Sequence, residues 1–233
     1  MSERTDGIII AIDGPSGAGK STVARLLAER LGYIQIDTGA MYRASALLIS
    51  SSGIDPGDAD ALESFCKELD IHFENRQGQT LVIANGNDVT GLIRTPEISR
   101  LTSQTSALKP VRDALLLSQR RMGGRGGVVL EGRDIGTVVF PDAELKFFLS
   151  ASAEERGRRR FEELTLKGEP VTLQDTIAEV VKRDLQDSER DIAPLKQAED
   201  AVMVDSSSLT IEEVLDIMEN FFREKIMSKG KKI

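Results

Sequence analysis

The chain has almost none of the residues that form disulfides or zinc sites. Its 233 residues include one cysteine, Cys66, one histidine, His72, and no tryptophan. One cysteine cannot form a disulfide within the chain, and one cysteine with one histidine cannot supply a His/Cys zinc site. We therefore expect both residues to be structural.

Long apolar runs and basic surfaces are scarce as well. No apolar run approaches the ~18 residues of a membrane span, and the polar segment Met1–Gly7 does not resemble a signal peptide. Acidic residues outnumber basic ones, 38 to 30, which disfavours a general nucleic-acid binder with its usual basic face. We expect a cytoplasmic protein that binds neither membranes nor nucleic acid. The length fits a single domain over residues 1–233 with a substantial core.

One stretch carries a complete phosphate-binding motif. Its sequence, GPSGAGKS from Gly14 to Ser21, fits G-x-x-x-x-G-K-[ST] at every fixed position. An apolar strand segment precedes it and a helical pattern follows, so its N–H groups would face a phosphate chain at a helix N-terminus. Lys20 would reach the β- and γ-phosphates, and the Ser21 hydroxyl would ligate Mg²⁺. The predicted triphosphate-binding residues are Gly14, Pro15, Ser16, Gly17, Ala18, Gly19, Lys20, Ser21 and Thr22.

Short apolar segments separated by helical patterns predict an α/β fold. Five of them indicate buried parallel strands, which implies a three-layer P-loop fold with helices on both faces of one sheet. The five segments are Ile8–Asp13, Tyr33–Asp37, Val128–Glu131, Leu145–Leu149 and Ala201–Asp205. From about residue 64 to about residue 94 the pattern changes to short antiparallel strands, with Asn85-Gly86 as a hairpin signal. We expect these strands to form an inserted subdomain.

Three helix starts are predicted by boxes in which a hydroxyl residue precedes a carboxylate by three positions. The pairs are Ser152 with Glu155, Thr172 with Asp175, and Thr210 with Glu213. In each pair, we expect the two side chains to satisfy backbone donors at both ends of the box.

Further groups of polar residues stand at predicted strand ends and on helices. Asp37-Thr38-Gly39 follows the second strand, where the carboxylate could hold waters of a Mg²⁺ shell or simply cap the next helix. The segment from Glu131 to Gly136 follows the third strand and either serves a ligand or forms a local Arg–Asp pair. The arginine-rich segment 156–160 and the set 183, 187 and 190 either form surface ion pairs or converge on phosphates.

Together these motifs resemble those of the bacterial-type cytidylate kinases over essentially the whole chain. The matching segments are Ile12–Ser21, Asp37–Arg43, Ile93–Glu97, Ser103, Pro110–Arg112, Glu131–Pro141 and Arg183–Arg190. The resemblance implies a kinase that transfers the γ-phosphate of ATP to CMP and dCMP, with Mg²⁺ bound alongside ATP. It also implies a monomer, a mobile helical lid at about residues 154–172, and an insertion on the acceptor side. Thr38 stands where many members have Ser, and Glu131 where many have Asp, so both keep the functional group.

Motif and resemblance together assign the site residues. The predicted catalytic residues are Lys20, Arg133, Arg156, Arg160 and Arg190. The predicted Mg²⁺ residues are Ser21 and, through water, Asp37. The resemblance assigns the ribose to Thr38, Arg183 and Asp187, the acceptor phosphate to Arg43, Arg133 and Arg190, and cytosine to Ser103, Arg112 and Asp134. A carboxylate suits cytosine because the base offers an N4 amino donor, while its N3 and O2 accept from Arg or Ser.

Three alternatives are kept. The first is a kinase for another small acceptor such as UMP, shikimate or dephospho-coenzyme A. The second is a GTPase switch, because Asp88-Val89-Thr90-Gly91 matches D-x-x-G, but the chain has no N-K-x-D guanine reader. The third is a nucleotide-binding regulator without catalysis, which the presence of Lys20 and Ser21 disfavours.

Overall fold

The computed structural model describes residues 4–77 and 79–230 of the chain. The strands in these ranges are β1 Ile9–Asp13, β2 Ile34–Asp37, β3 Ile71–Arg76, β4 Gln79–Ala84, β5 Asn87–Asp88, β6 Val128–Gly132, β7 Leu145–Ser150 and β8 Val202–Asp205. The α-helices are α1 Lys20–Leu31, α2 Thr38–Ser52, α3 Ala59–Lys67, α4 Pro96–Thr105, α5 Lys109–Gly123, α6 Ala153–Leu166, α7 Leu173–Glu189 and α8 Ile211–Gly230. A short π-helix spans Ile135–Val139. Within the two described ranges, no helix combines the length and the apolarity that crossing a membrane would require.

The chain divides into two compact units. The first takes the described residues up to Gln35 and from Arg125 onward, and the second is Ile36–Gly124. The first unit holds α1, α6, α7 and α8, and the second holds the helices α2 to α5 together with β3, β4 and β5. The bounds expected for the inserted subdomain, 64–94, and for the lid, 154–172, stay predictions.

The main sheet has the strand order β2-β6-β1-β7-β8. Strand β1 pairs in parallel with β6 and β7, and β7 pairs in parallel with β8. All five residues of β1 are buried, so both faces of this strand are covered, as expected for a parallel sheet between helical layers. The predicted five-stranded parallel sheet is confirmed, with strand ends that differ by about one residue from the predicted ones.

Helices α1 and α8 cover one set of sheet side chains in the first unit. Ile10 and Ile12 of β1 pack with Leu27 of α1 and with Leu215 and Met218 of α8. All five side chains are fully buried. Each such aliphatic side chain contributes roughly 1.5–3 kcal/mol when it leaves water. The apolar cluster therefore fixes α1, and with it the loop that leads into α1.

A tyrosine and a phenylalanine close the edge of this core. The ring of Tyr33 meets the ring of Phe222 edge to face, with centroids 5.7 Å apart. The Tyr33 hydroxyl accepts a hydrogen bond of 3.3 Å from the backbone N–H of Ile8. An edge-to-face pair with a satisfied hydroxyl is a favourable way to bury an aromatic ring that carries a polar group.

The second unit contains the predicted antiparallel strands. Strand β4 pairs antiparallel with β3 and with β5, and Ile71 lies opposite Ala84. At the β4–β5 turn, Asn85 and Gly86 both have positive φ, 46° and 78°. Positive φ at both central residues is the requirement of a tight hairpin turn, so the Asn-Gly signal predicted this hairpin correctly.

Only one of the three helix-start boxes is reciprocal. At the start of α8, the Thr210 N–H donates to Glu213 Oε2 (2.8 Å) and the Glu213 N–H donates to Thr210 Oγ1 (3.3 Å). At α7, Thr172 accepts from the Asp175 N–H (3.1 Å), and the Asp175 carboxylate accepts from the Thr172 hydroxyl (2.7 Å) rather than from the Thr172 N–H. The two-ended expectation was therefore wrong at α7.

The box at the start of α6 is one-ended for a different reason. Ser152 Oγ accepts from the Glu155 N–H (3.1 Å), but the Ser152 N–H donates to Ser207 Oγ (2.9 Å). The Glu155 carboxylate instead accepts hydrogen bonds from the guanidinium groups of Arg158 and Arg159. Charged donors make stronger hydrogen bonds than a backbone N–H, so the Glu155 carboxylate pairs with the arginines rather than with the Ser152 N–H.

Helices α6 and α7 approach closely at Gly157. A Cβ atom at this position would lie 2.3 Å from Cγ1 of Ile177 and 2.9 Å from its Cα. Since the Cα belongs to the backbone of α7, it cannot move without shifting that helix. The contact explains a glycine in the interior of α6, where glycine is otherwise unfavourable.

We expect Gly157→Ala to lower the free energy of unfolding by about 1–3 kcal/mol, because overpacking outweighs the better helix propensity of alanine. Urea unfolding followed by circular dichroism measures the change. In an Ile177→Ala background, which removes Cγ1, the same substitution should cost less. A stabilised Gly157→Ala protein would contradict this account of the packing.

Candidate active site

The phosphate-binding loop connects β1 to α1 and is built on close backbone approach. A Cβ on Gly14 would lie 2.0 Å from the carbonyl oxygen of Leu149, and Gly17 has φ of 78°. Gly19, with φ of 90°, is the N-cap residue of α1, and no side chain of the described residues caps this helix start. The first N–H groups of α1 therefore face the loop, as an anion-binding site requires.

Lys20 begins α1 and is buried among other charges. Its side-chain ammonium donates a 2.6 Å hydrogen bond to the carbonyl oxygen of Pro15. Burial, followed by the Arg133 guanidinium, holds the pKa of Lys20 well below its usual range, and Arg183 acts in the same direction. The carboxylates of Glu131 and Asp13 act against this shift. Cations crowded into a buried place favour a polyanionic ligand.

Oxygen atoms suited to Mg²⁺ lie beside this lysine. Gln35 Nε2 is 3.2 Å from the carbonyl oxygen of Ser21 and 3.4 Å from Oε1 of the buried Glu131. Among the described residues, no group of three His, Cys, Asp or Glu side chains is placed to hold a metal ion. Mg²⁺ usually keeps several waters and takes only one or two protein ligands beside substrate phosphates, so the Ser21 hydroxyl and the Glu131 carboxylate fit its chemistry.

The carboxylate of Asp13 bridges two segments of the site. Its two oxygens accept hydrogen bonds from the N–H groups of Ile135 (2.8 Å) and Gly136 (2.7 Å). Burial raises the pKa of Asp13 to about 6, the Asp134 carboxylate adds to the rise, and the two N–H groups and Lys20 oppose it.

A charged cluster forms where β6 ends and α7 ends. Arg133 Nε donates to Asp187 Oδ2 at 2.8 Å, and Arg190 Nη1 lies 3.7 Å from Asp187 Oδ1. Arg190 Nη2 lies 3.9 Å from the buried Asp134 carboxylate. Burial alone would raise the pKa of Asp187, but Arg133, Arg183 and Arg190 hold it below its usual range. Asp187 is therefore an anion that orients two guanidinium groups.

Arg156 on α6 contacts the phosphate-binding loop itself. Its guanidinium donates to the carbonyl oxygens of Ser16 (3.0 Å) and Ala151 (2.8 Å) and lies 2.6 Å from the Asp184 carboxylate. The side chain is only 6% exposed. These contacts join the loop, the start of α6 and α7, so Arg156 braces the loop in this structure. Its catalytic role stays a prediction.

The neighbouring arginines of α6 differ in their surroundings. Arg159 donates to Glu155 and to the carbonyl oxygen of Ser206, and its Nη1 is 4.0 Å from the position of a Cβ on Gly19. Arg160 pairs with Glu163 at 2.8 Å on the helix surface. Arg160 thus makes the helix-surface ion pair that the sequence left open, and its catalytic role also stays a prediction.

In the second unit, Asp37 and Arg43 form a pair at the start of α2. Asp37 Oδ1 caps the helix by accepting from the Ala40 N–H (2.8 Å), and its Oδ2 accepts from Arg43 Nη2 (3.0 Å). The capping alternative for Asp37 is thus confirmed, and its part in a Mg²⁺ shell stays a prediction. The buried Nε of Arg43 has no hydrogen-bond partner among the described residues. Thr38, the first residue of α2, is buried.

Two more of the predicted acceptor residues lie on α4 and α5 of the second unit. Arg112 is 6% exposed, donates to the carbonyl oxygen of Ser106 (3.0 Å), and places its guanidinium carbon 5.4 Å from the ring centre of Tyr42. Such cation–π contact holds a buried guanidinium in one plane. Ser103 donates its hydroxyl to the carbonyl oxygen of Ser99 at 3.3 Å.

The first unit brings together most of the predicted triphosphate and arginine residues. They are the loop 14–22 with Arg133, Asp134, Arg156, Arg183, Asp187 and Arg190. The rest of the predicted acceptor set, Thr38, Arg43, Ser103 and Arg112, lies in the second unit.

Sequence reasoning gave no role to Asp13, Gln35 or Asp184. Asp13 carried a usable signal, since it is a charged residue at the end of the apolar run Ile8–Ile12. Asp184 carried no such signal. Its partner Arg156 lies 28 residues away on another helix, and no local pattern indicates that pairing.

The raised pKa of Asp13 predicts a specific pH dependence of stability. The folded-state pKa is about 6 against 3.8 for the ordinary group, so between these values the folded state holds a proton that the unfolded state has released. The free energy of unfolding therefore falls as pH rises through this window, by up to ~3 kcal/mol.

Urea unfolding of the wild type and of Asp13→Asn from about pH 4 to about pH 7 isolates this contribution. The stability of the wild type relative to the variant should fall with rising pH, since asparagine does not titrate. A difference that stays constant across the window would contradict the buried carboxylate.

Comparisons with known proteins agree with the geometry. The family model described as cytidylate kinase matches residues 10–224. A cytidylate kinase from Geobacter sp. (strain M21) is 61% identical over 228 residues, 98% of each chain, and one from Geobacter sulfurreducens is 62% identical over 219 residues, 94% of each chain. A cytidylate kinase from Caldicellulosiruptor saccharolyticus is 49% identical over 93% of this chain and 96% of its own. This chain belongs to the cytidylate kinase family.

Proposed function

We propose that this protein transfers the γ-phosphate of ATP to CMP, giving CDP and ADP, and that dCMP is a second acceptor. The observation that carries the proposal is the crowding of Lys20, Arg133 and Arg183 beside a complete phosphate-binding loop in a cytidylate kinase family member. One buried and two half-buried cations around such a loop suit phosphoryl transfer, where positioning and electrostatics supply most of the rate.

The phosphate-binding loop is the donor site of the proposed reaction. The loop 14–22 wraps the ATP phosphates with its N–H groups, and Lys20 moves from the Pro15 carbonyl to the β- and γ-phosphates. With ATP, a bound Mg²⁺ would supply positive charge against the negative charge that develops on the phosphates. Ser21 and Glu131, with Asp37 through water, are the residues that would hold it.

The acceptor phosphate is held by arginines. Arg133 and Arg190 are already oriented by Asp187, so little ordering remains when the phosphate of CMP arrives. Arg43, whose buried Nε has no hydrogen-bond partner among the described residues, would contribute a third donor. The CMP phosphate has a second pKa near ~6 and attacks without a general base, because it has already lost its proton at neutral pH.

The nucleoside part of the acceptor is held by the remaining residues. Thr38, Arg183 and Asp187 bind the ribose, and Ser103, Arg112 and Asp134 bind cytosine. Arg112 suits a base edge because Tyr42 and the Ser106 carbonyl fix its plane. UMP, which offers an acceptor in place of the N4 amino group, should bind less well.

The proposed function also includes a lid, an acceptor-side segment, a compartment and an oligomeric state. The lid at about 154–172 closes over ATP and brings Arg156 and Arg160 to the moving phosphate, while the segment 64–94 serves the acceptor side. We place the protein in the cytoplasm as a monomer with no nucleic-acid partner.

The proposed reaction is tested first by offering acceptors separately with Mg-ATP: CMP, dCMP, UMP, AMP, GMP and shikimate. ADP release should be fast with CMP and dCMP and slow with the others. Turnover with a different acceptor alone would retain a kinase but refute the cytosine site. Binding of ATP with no acceptor-stimulated turnover would favour the regulator.

The arginine clamp is tested by Arg133→Ala, which should lower kcat/KM for CMP by roughly 30- to 1,000-fold, the cost of about 2–4 kcal/mol of lost charge stabilisation. The matched control is Arg125→Ala in the same unit, since Arg125 is exposed and pairs with Asp6 on the surface. The control should retain wild-type kinetics. Near-normal turnover by Arg133→Ala would refute the clamp.

A further inference from the structure

The carboxylate of Asp13 is buried, where a negative charge is unfavourable because it is removed from water. Asp13 ends β1, is 4% exposed, and burial raises its pKa to about 6. Asp134 lies close enough to add to this rise, while Lys20 opposes it. A neutral side chain of the same shape would avoid the desolvation cost, so the carboxylate must satisfy a demand that a neutral group meets less well.

That demand is two neighbouring N–H groups. Ile135 donates to Oδ1 at 2.8 Å and Gly136 donates to Oδ2 at 2.7 Å, so each carboxylate oxygen has its own backbone partner. The strand register places Asp13 beside Gly132, three residues before Ile135. The carboxylate therefore reaches from β1 across the segment Gly132–Asp134 and joins the chain where that segment ends.

The two N–H groups stand at the start of the π-helix Ile135–Val139. The first N–H groups of a helix have no acceptor within it and need a partner from elsewhere. Asp134 is the N-cap residue, yet its side chain makes no cap hydrogen bond to the helix. Its carboxylate lies instead toward Arg190, at 3.9 Å from Nη2. Asp13 supplies the cap from a neighbouring strand.

We propose that Asp13 is a positioning residue for phosphoryl transfer, because it caps the π-helix from β1 and so fixes Arg133 and Asp134 relative to the phosphate-binding loop. The loop begins at Gly14, directly after Asp13, which makes the carboxylate a rigid link between the donor site and the acceptor clamp. The positioning role rests on the proposed kinase function, whereas the cap itself does not.

The surroundings leave the link little freedom. A Cβ on Gly136 would lie 3.4 Å from Asp13 Oδ2 and 3.1 Å from Cδ of Lys146. Lys146 is itself held by the Pro141 carbonyl and by Asp200, at 2.7 and 2.8 Å. A Cβ at this position would thus be in ordinary contact with the carboxylate and tight against the Lys146 side chain.

The substitution Asp13→Asn tests the link with little change of shape. Asparagine offers one acceptor oxygen and turns an NH₂ group toward the second N–H, so one of the two hydrogen bonds is lost. Amide hydrogen exchange read by NMR should speed up by about tenfold or more at Ile135 or Gly136. The N–H groups of Val138 and Val139 donate to the Asp134 carbonyl, and their exchange should change less.

A second spectroscopic readout is the pH titration of these two amide protons in the wild type, with Asp13→Asn as the comparison. The amide proton shifts of Ile135 and Gly136 should titrate together with a midpoint near the Asp13 pKa of about 6, since both protons face the carboxylate. In Asp13→Asn these titrations should be absent. Exchange rates and titrations that match those of the wild type would overturn the cap.

Kinetics then test positioning. In Asp13→Asn, kcat/KM for CMP should fall by about tenfold or more while the Kd of ATP, measured without acceptor, changes by less than about threefold. The matched control is Asp205→Asn, since Asp205 ends β8 as Asp13 ends β1, but it is exposed and accepts hydrogen bonds from the nearby Ser207. The control should retain wild-type kinetics and wild-type exchange at Ile135 and Gly136.

The outcomes separate the two proposals. Lost protection with unchanged CMP kinetics would overturn the positioning role. Wild-type protein that phosphorylates no CMP would overturn the proposed function, and the exchange data would still uphold or overturn the cap.

Discussion

The burial of Lys20 beside two half-buried arginines is the constraint on which the site depends. Lys20 is 5% exposed and shares its surroundings with Arg133 and Arg183, which together with burial oppose its charge. Such an arrangement is unfavourable without anions, so the protein holds it together through the apolar cluster of α1, α8 and the sheet. A polyanion that binds here interacts favourably with every cation at once, because the cations are already held close together and partly removed from water.

Carboxylates make this collection of cations tolerable without neutralising it. Asp187 lies between Arg133 and Arg190, and Asp184 is paired with Arg156. Glu131 and Asp13 act directly on Lys20. Asp187 and Asp184 also fix the directions of the arginines they contact, and this orientation is what transfer between two bound phosphates demands.

The sequence was sufficient for features that depend on neighbouring residues. The strand–loop–helix placement of residues 14–21, the apolar strands, and the Asn85-Gly86 turn all follow from local chemistry, and each is found as predicted. The start of α6 shows the limit. Ser152 and Glu155 have the spacing of a two-ended box. However, arginines one turn later bind the Glu155 carboxylate, and the Ser152 N–H donates to Ser207, which lies far along the chain.

The same limit applies to the site. Lys20 and the arginines were predictable as types of residue, whereas the partners of Arg156 and Asp13 lie on distant segments and depend on how the chain folds. The contact of Arg156 with the Ser16 carbonyl crosses 140 positions, and that of Asp13 with Ile135 crosses 122. No local pattern encodes such pairings: the register of β1 with β6 decides the contact of Asp13, and the packing of α6 against the loop decides that of Arg156.

The absence of tryptophan and the small number of tyrosines have a practical consequence for observing this molecule. Its two tyrosines are divided between the compact units: Tyr33 meets Phe222 edge to face in the first, and Tyr42 lies against Arg112 in the second. With no tryptophan to dominate the spectrum, each ring is a native label for one unit. Ring resonances could therefore follow the two units separately, and a tryptophan introduced at any exposed position would be the sole emitter of its kind.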